Sequence, residues 1–343
     1  MTTESLWVEA PGEGAPPPAP AEPKRRRWLL VLVVVALLTG LAFWFGRGGA
    51  TGGVLHVGSQ RGGTKALMLA SGVLKGAPYV VDWSEFPAAQ NLQEAIGAGA
   101  VDVGMVGDAP FQFAYQSGQP INAIAALAAW PRPPGALAIL VPKNSPIHDV
   151  AGLRGKKIAT TRGSIGHYLI LRVLEANGLR PTDVKITFLS PGDTKAAFDT
   201  GSIDAWATWS PYVPTALAGG AHIVADGAGY FSGYAFDVAN ARSVETKRAY
   251  LTDFVKREAQ AYVWAKAHPR DYARVLAQET GLPFDIALYH VQHQPLARVP
   301  IDDALRAEER YVVAHFRKAG ALAGNRPLDQ AYEPLDQGEP HGG

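Results

Sequence analysis

The sequence predicts an α/β protein built from two similar lobes, on three observations. From Val54 onward, short apolar runs alternate with segments of helical spacing, the pattern of a mainly parallel sheet flanked by helices. Gln93–Asp102 and Lys195–Asp204 echo one another: each reads as a helix, a glycine stop, and a strand entered through Val-Asp or Ile-Asp. One lobe per half follows naturally from that echo. Three short turns, Arg61-Gly-Gly-Thr64, Gly107-Asp-Ala-Pro110 and Arg162-Gly-Ser-Ile-Gly-His167, each follow an apolar run and precede a helical one. Such a turn leaves free backbone N–H groups at the positive end of a helix dipole, which suits an anion.

Residues 1–23 are rich in Pro, Ala, Gly and Glu and read as a disordered cytoplasmic arm. Lys24-Arg-Arg-Arg27 then opens the uncharged run Trp28–Phe45. At roughly 18 residues this run is near the lower limit for a helix that crosses a bilayer. Residues 24–46 therefore read as a transmembrane anchor or a signal segment. The anchor is favoured, because Phe43-Trp-Phe-Gly-Arg47 lacks a small-x-small cleavage site and Trp44 suits a membrane interface. Either way the basic cluster stays inside and the body lies outside the cytoplasm. Residues 47–53 form a linker.

Strands are expected at Val54–Val57, Tyr79–Trp83, Val103–Val106, Ala136–Val141, Lys157–Thr160, Lys185–Leu189, Ala205–Thr208, His222–Ala225 and Tyr234–Ala239. Helices are expected to start near Thr64, Ala88, Ala109, Ile165, Asp193 and Pro211. After Ser243 the strand patterns stop, and helical patterns follow at Val244–Lys266, Pro269–Glu279, Asp285–His290 and Ile301–Lys318. Gly320 opens a tail, disordered over 336–343. Pro131-Arg-Pro-Pro-Gly135 marks the first crossing between lobes and Tyr234–Ala239 the return. Lobe 1 is then 54–135 with 236–335, and lobe 2 is 136–235.

Composition narrows the function. Of 343 residues, 47% are hydrophobic and 18% charged, a globular balance that at this length means two domains or one large one. The net charge is +1, and the four acidic and four basic side chains of residues 1–45 cancel, so the body is near neutral. A nucleic acid partner would need a basic face. The absence of cysteine excludes disulfides, thiolate metal sites, cysteine nucleophiles and a bacterial lipoprotein anchor. Arg162-Gly-Ser-Ile-Gly166 is one residue short of a nucleophile elbow, with no matching Asp and His at obvious positions. His290 and His293 share a helix face without a third ligand, so no metal is expected. No phosphate loop or dinucleotide fingerprint is present, and no cofactor is implied. Binding, rather than catalysis, is the reading.

Several segments carry a family pattern in order: Trp83-Ser-Glu-Phe-Pro87, Gly107-Asp-Ala-Pro110, Leu140-Val-Pro-Lys-Asn-Ser-Pro146, Gly152-Leu-Arg-Gly-Lys-Lys-Ile158, Gly163-Ser-Ile-Gly-His-Tyr168 and Asp204-Ala-Trp-Ala-Thr-Trp209 with Pro211-Tyr212. From about Val54 to about Leu335 the chain resembles the substrate-binding proteins of ABC importers for aliphatic sulfonates, nitrate and taurine. The resemblance implies a two-lobed periplasmic-binding-protein fold (type II), a partner permease and an ATPase, and a monomer that delivers its ligand to them. It also leaves open taurine, nitrate, a pyrimidine or an aromatic ligand, and a biosynthetic enzyme on the same fold. One departure bears on the ligand: the family's Trp-Asp-Pro-Tyr is Trp209-Ser-Pro-Tyr212 here, so a carboxylate is lost beside the cleft.

A sulfonate spreads one charge over three oxygens and is best met by several neutral donors. Gly63 and Thr64 supply these at the first turn, Gly107 and Asp108 at the second, Gly163 and Ser164 at the third. Thr64 and Ser164 also suit plain helix capping, and Asp108 suits it better than an anion contact. His167 is a further donor or a packing residue. Trp206 and Trp209 are expected to wall an apolar tail or to fill the core. Arg61 and Arg162 read as solvated surface.

Overall fold

A computed structural model describes residues 52–336 apart from Gly62. The arm, the membrane or signal segment and the end of the tail lie outside the described residues. Among those described, no helix is long and apolar enough to cross a membrane.

Eleven strands lie along the described chain: β1 (Val54–Gln60), β2 (Val80–Phe86), β3 (Val103–Gly107), β4 (Ile121–Ala129), β5 (Leu137–Val141), β6 (Lys157–Thr160), β7 (Lys185–Phe188), β8 (Ala205–Trp209), β9 (His222–Asp226), β10 (Tyr234–Asn240) and β11 (Leu296–Val299). They form two sheets, ordered β11-β4-β10-β3-β1-β2 and β7-β6-β8-β5-β9, both flanked by helices.

Both sheets are mixed rather than mainly parallel. β1 pairs in parallel with β2 and β3, and β6 with β7 and β8. β10 runs antiparallel to β3 and β4, and β5 to β8 and β9. The connections explain this. A helical crossover returns a strand parallel to its predecessor. β5 and β10 instead enter their sheets directly from the other sheet, through 130–136 and 227–233, so each runs against its neighbours. The return thus ends just ahead of Tyr234–Ala239, which is already a strand of the first sheet.

Two strands carry no clear sequence signal. β4 reads Ile-Asn-Ala-Ile-Ala-Ala-Leu-Ala-Ala, and eight of its nine residues are buried. Alanine is a poor strand former, but this segment is held as a strand by pairing with β10 on one side and β11 on the other. β11 is a four-residue edge strand among the C-terminal helices, so strands do not in fact stop at Ser243.

The internal echo has a physical counterpart. Asp102 accepts the His56 N–H through Oδ2 at 2.8 Å, and Asp204 accepts the Lys157 N–H at 2.7 Å. Each aspartate also donates its own N–H to the carbonyl of that same partner. In both halves the residue before a central strand therefore locks onto the start of the neighbouring parallel strand. The preceding glycines, Gly99 and Gly201, take positive φ of 76° and 70°, which lets the chain leave its helix.

The C-terminal helices Arg248–Ala267, Pro269–Thr280 and Phe284–Gln292 cover the first sheet, with Phe254 and Leu276 buried against Leu55 and Val57. Helix Asp303–Lys318 has a different place: Val312, Val313 and Phe316 pack with Ala109 from the first half and with Tyr168 and Leu171 from the second. Residues 320–335 are not a tail. Tyr115 donates to the Pro327 carbonyl at 2.8 Å, Gln112 donates to the Tyr332 hydroxyl at 2.8 Å, and Glu333 N–H pairs with Ala123 O. The strap stays because its aromatic anchor, Tyr332, is buried against Phe111 and Phe236.

Helix Ile165–Ala176 seats on β8 through Gly166. A Cβ there would meet the Thr160 hydroxyl and lie 2.6 Å from the Ala207 carbonyl oxygen. Gly166→Ala should therefore cost about 1–3 kcal/mol through overpacking. Urea unfolding measures this, and a wild-type midpoint would mean the helix is not seated so closely.

Candidate ligand-binding cleft

Between the two sheets lies a cavity of about 170 Å³. Four helix starts reach it. Gly63 caps Thr64–Ser71, Ala89 and Gln90 open Ala89–Gly97, and Gly107 caps Asp108–Gln116; Ser164 caps Ile165–Ala176 from the second half. Gly63, Ala88 and Gly107 make no side-chain capping bond, although the Lys65 N–H donates to the Ser59 hydroxyl at 3.4 Å and the Ala109 N–H to the Asp108 carboxylate at 2.5 Å, so these starts are only partly open to the cleft. Met105, Leu137, Trp209, Phe231 and Leu296 give the cavity apolar lining as well. Among the described residues, no aspartate or glutamate lines the cavity, and Arg61 is its one permanent cation. The Arg61 guanidinium donates to the Thr280 carbonyl at 3.2 Å.

The expected site residues divide. Gly63, Gly107, Ser164 and Trp209 line the cavity. The Ser164 hydroxyl accepts the His167 N–H at 3.1 Å and lies 3.2 Å from the Thr160 hydroxyl, so it both caps the helix and faces the cleft. Trp209 is the last residue of β8 and meets Tyr212 edge-on at 6.0 Å.

Thr64, Asp108, Gly163, His167 and Trp206 lie outside the cavity wall. Thr64 is buried one residue inside the helix that Gly63 caps. The Asp108 carboxylate is buried and accepts the Ser232 hydroxyl of the return crossing. Gly163, at φ 69°, packs on the Phe113 ring instead. His167 is buried edge-on to Phe188, and its Nδ1 accepts the Gly163 N–H at 3.2 Å. Burial, helped by Arg162, holds its pKa down to about 4, so it is neutral at neutral pH. Trp206 fills the core with Phe198 and Tyr212. Trp206 and Trp209 are three residues apart on one strand, so they point to opposite faces.

Of the other lining residues, Gln60 and Gln90 have no local signature, while the family resemblance marks Ser210 and a shared helix face marks His290 and His293. Gln60 donates to the Met105 carbonyl at 2.7 Å, and Gln90 stands at a helix start. Ser210, in the place of the lost carboxylate, lies 3.0 Å from His290 Nδ1, so its hydroxyl ties the second sheet to helix Phe284–Gln292. His293 stacks on Tyr289 at 3.7 Å. No cluster of metal-ligating residues forms among the described residues.

Fold and cleft define a protein of the periplasmic-binding class. More closely, the chain belongs to the NMT1/THI5-like family, whose pattern matches residues 81–272. It is 34% identical over 245 residues to an aliphatic sulfonates-binding protein of Escherichia coli (strain K12), covering 70% of this chain and 76% of the relative. The alkanesulfonate-binding protein of Xanthomonas axonopodis pv. citri, solved bound to MOPS, superposes with a TM-score of 0.75 at 29% identity, over 82% of this chain and 98% of that one. A desulfurization enzyme is 18% identical with a TM-score of 0.61, over 82% of this chain and 96% of that one, and shares the fold alone.

Proposed function

We propose that this chain is the extracytoplasmic substrate-binding protein of an ABC importer, which captures an aliphatic sulfonate in the cleft and delivers it to a permease driven by an ATPase. One observation carries the reading. Four helix starts, three of them without a side-chain bond from the N-cap residue, reach a small cavity that has several apolar lining residues and, among the described residues, no acidic one. Such a lining offers donors for an anion and apolar surface for a hydrocarbon tail in one cavity, sized for a small ligand. Gly63, Gly107 and Ser164 hold the sulfonate oxygens, and Trp209 covers the tail. Asp108, Thr64 and His167 support the turns from behind.

The two sheets serve as lobes, with 130–136 and 227–233 as the crossings. A ligand touching both lobes favours the closed state. Residues 24–46 hold the protein at the outer face of the membrane as a monomer. An enzyme on this fold is the weaker reading, because the chain is 34% identical over 245 residues to a sulfonates-binding protein and only 18% identical to the desulfurization enzyme.

A thermal-shift screen of the full chain against alkanesulfonates, taurine, nitrate and uracil tests this. Alkanesulfonates should raise the melting temperature, since only the folded state binds them. Trp209→Ala should then weaken alkanesulfonate binding about 10- to 100-fold while leaving the unliganded melting temperature near wild type. A shift with uracil alone would sink the sulfonate reading, and an unchanged affinity in the variant would remove Trp209 from the site.

A further inference from the structure

Gly107 lines the cleft, and the residue after it, Asp108, carries a fully buried carboxylate. Its two oxygens accept the Ser232 hydroxyl and the Ala109 N–H. A second fully buried acid, Glu309 of helix Asp303–Lys318, lies close by. One of its oxygens accepts the Gln112 amide at 2.7 Å, and the other is buried without a partner. Gln112 is one turn beyond Asp108 on the helix that Asp108 opens, so the two acids share that helix.

These carboxylates are held by neutral donors. The groups packed around them do little to offset a negative charge. Glu308 adds to it from the same helix as Glu309. Burial and the Asp108 charge, against Arg172, keep the Tyr168 hydroxyl protonated, and His167 is neutral at neutral pH. Arg132 of the first crossing donates to the Phe231 carbonyl, and Arg172 to the Tyr168 hydroxyl at 3.1 Å.

An anion that settles at Gly107 meets two opposed effects from one place. The helix start attracts it, and a charged Asp108 beside that start repels it across a dry region where screening is weak. A proton on Asp108 removes the repulsion. A sulfonate is the anion of a strong acid, so this proton comes from water and not from the ligand. Asp108 is poised to take it. Burial above all lifts its carboxyl to about 6, against the Ser232 hydroxyl and the Ala109 N–H, so near neutral pH a modest push from a bound anion suffices. Burial lifts Glu309 further, so that acid already holds its proton.

We infer that capture of the anion is coupled to uptake of a proton by Asp108, so that the protein holds its ligand more tightly in acid. The inference rests on the sulfonate-binding reading above and deepens it. Asp108 does not touch the ligand and acts through the helix start that it opens.

Isothermal titration of the full chain with ethanesulfonate, from pH 5 to 8 and in buffers of different ionisation enthalpy, reads both the affinity and the proton count. The wild type should take up about half a proton per ligand near pH 6.5 and bind about 10-fold more weakly at pH 8 than at pH 5. Asp108→Asn should abolish the uptake and bind as tightly at pH 8 as at pH 5. Glu309→Gln should keep the wild-type uptake. A wild-type affinity that does not change with pH would overturn the inference. His290 and His293 line the cleft and also titrate, so an uptake that survives in Asp108→Asn and is lost in His293→Gln or His290→Gln would overturn it too. No binding at any pH would overturn the sulfonate reading, and this inference with it.

Discussion

Replacing Arg298 by alanine should cost about 3–5 kcal/mol of stability, read by urea unfolding at neutral pH. Arg298 stands on the short edge strand β11 with 7% of its side chain exposed, and it donates to Asp237 at 3.0 Å and to the Val255 carbonyl at 2.6 Å. It thus joins β11 to β10 and to helix Arg248–Ala267. Asp237 is fully buried, and so is Glu258 on that helix. Burial pushes the Glu258 carboxyl well above the usual carboxylate range, the Asp237 charge pushes it the same way, and Arg298 opposes both. One cation therefore serves two acids in a dry region. Without it Asp237 is stranded, and the cost is mostly that of an unpaired buried charge. The double variant Arg298→Ala with Asp237→Asn should recover part of the loss, because the stranded charge is gone. A single-variant cost below about 1 kcal/mol, or no recovery in the double variant, would mean the pair is not what holds β11 in place.

β11 also shows where sequence reading stops. Nine strands could be read because each is a compact apolar run beside Gly, Pro or a charged stop, and Lys157–Thr160 matched to the residue. β4 and β11 were missed for one reason: each is a strand because of its neighbours. Nothing local in Ile121–Ala129 outweighs its five alanines and Leu127, all strong helix formers, and the buried arginine of β11 looks like surface until Asp237 is placed beside it. The strap after Gly320 was lost in the same way, since Tyr332 finds its pocket only once Phe111 and Phe236 are assembled.

The cleft was legible to the same extent. Gly63, Gly107 and Ser164 are visible because a strand-to-helix turn has a composition of its own. Gln60 and Gln90 are not, because a glutamine looks the same wherever it points; Ser210 is placed beside the cleft only by the family resemblance, and His290 is weighed only as a metal ligand. Trp206 is a different case. Its separation from Trp209 on a strand already put the two on opposite faces, so alternation alone was enough to send one to the core.

Asp108→Asn should change how stability depends on pH more than any substitution in the cleft wall. Burial is the main cause that raises the Asp108 carboxyl to about 6 from an ordinary 3.8, against the Ser232 hydroxyl and the Ala109 N–H, which favour the charged form. Burial pushes Glu309 up as well, and the two acids repel one another. Between pH 3.8 and 6 the native state therefore holds a proton on Asp108 that the unfolded chain has lost. Stability from this group falls as pH rises through that window, by about 3 kcal/mol in full. His167 acts in the opposite sense. Its pKa lies near 4 in the native state against 6.5 unfolded, so the unfolded chain binds the extra proton and stability rises with pH over that range. In the wild type the two contributions largely offset. Asparagine keeps an oxygen for Ser232 and removes the charge, which leaves His167 unopposed. The variant should match wild type near pH 4, exceed it by about 1–3 kcal/mol at pH 7.5, and show stability rising steadily between. Urea midpoints taken from pH 4 to 8 measure this. Parallel curves for the two proteins would mean that Asp108 is already charged in the native state throughout, held so by Ser232 and the Ala109 N–H despite its burial.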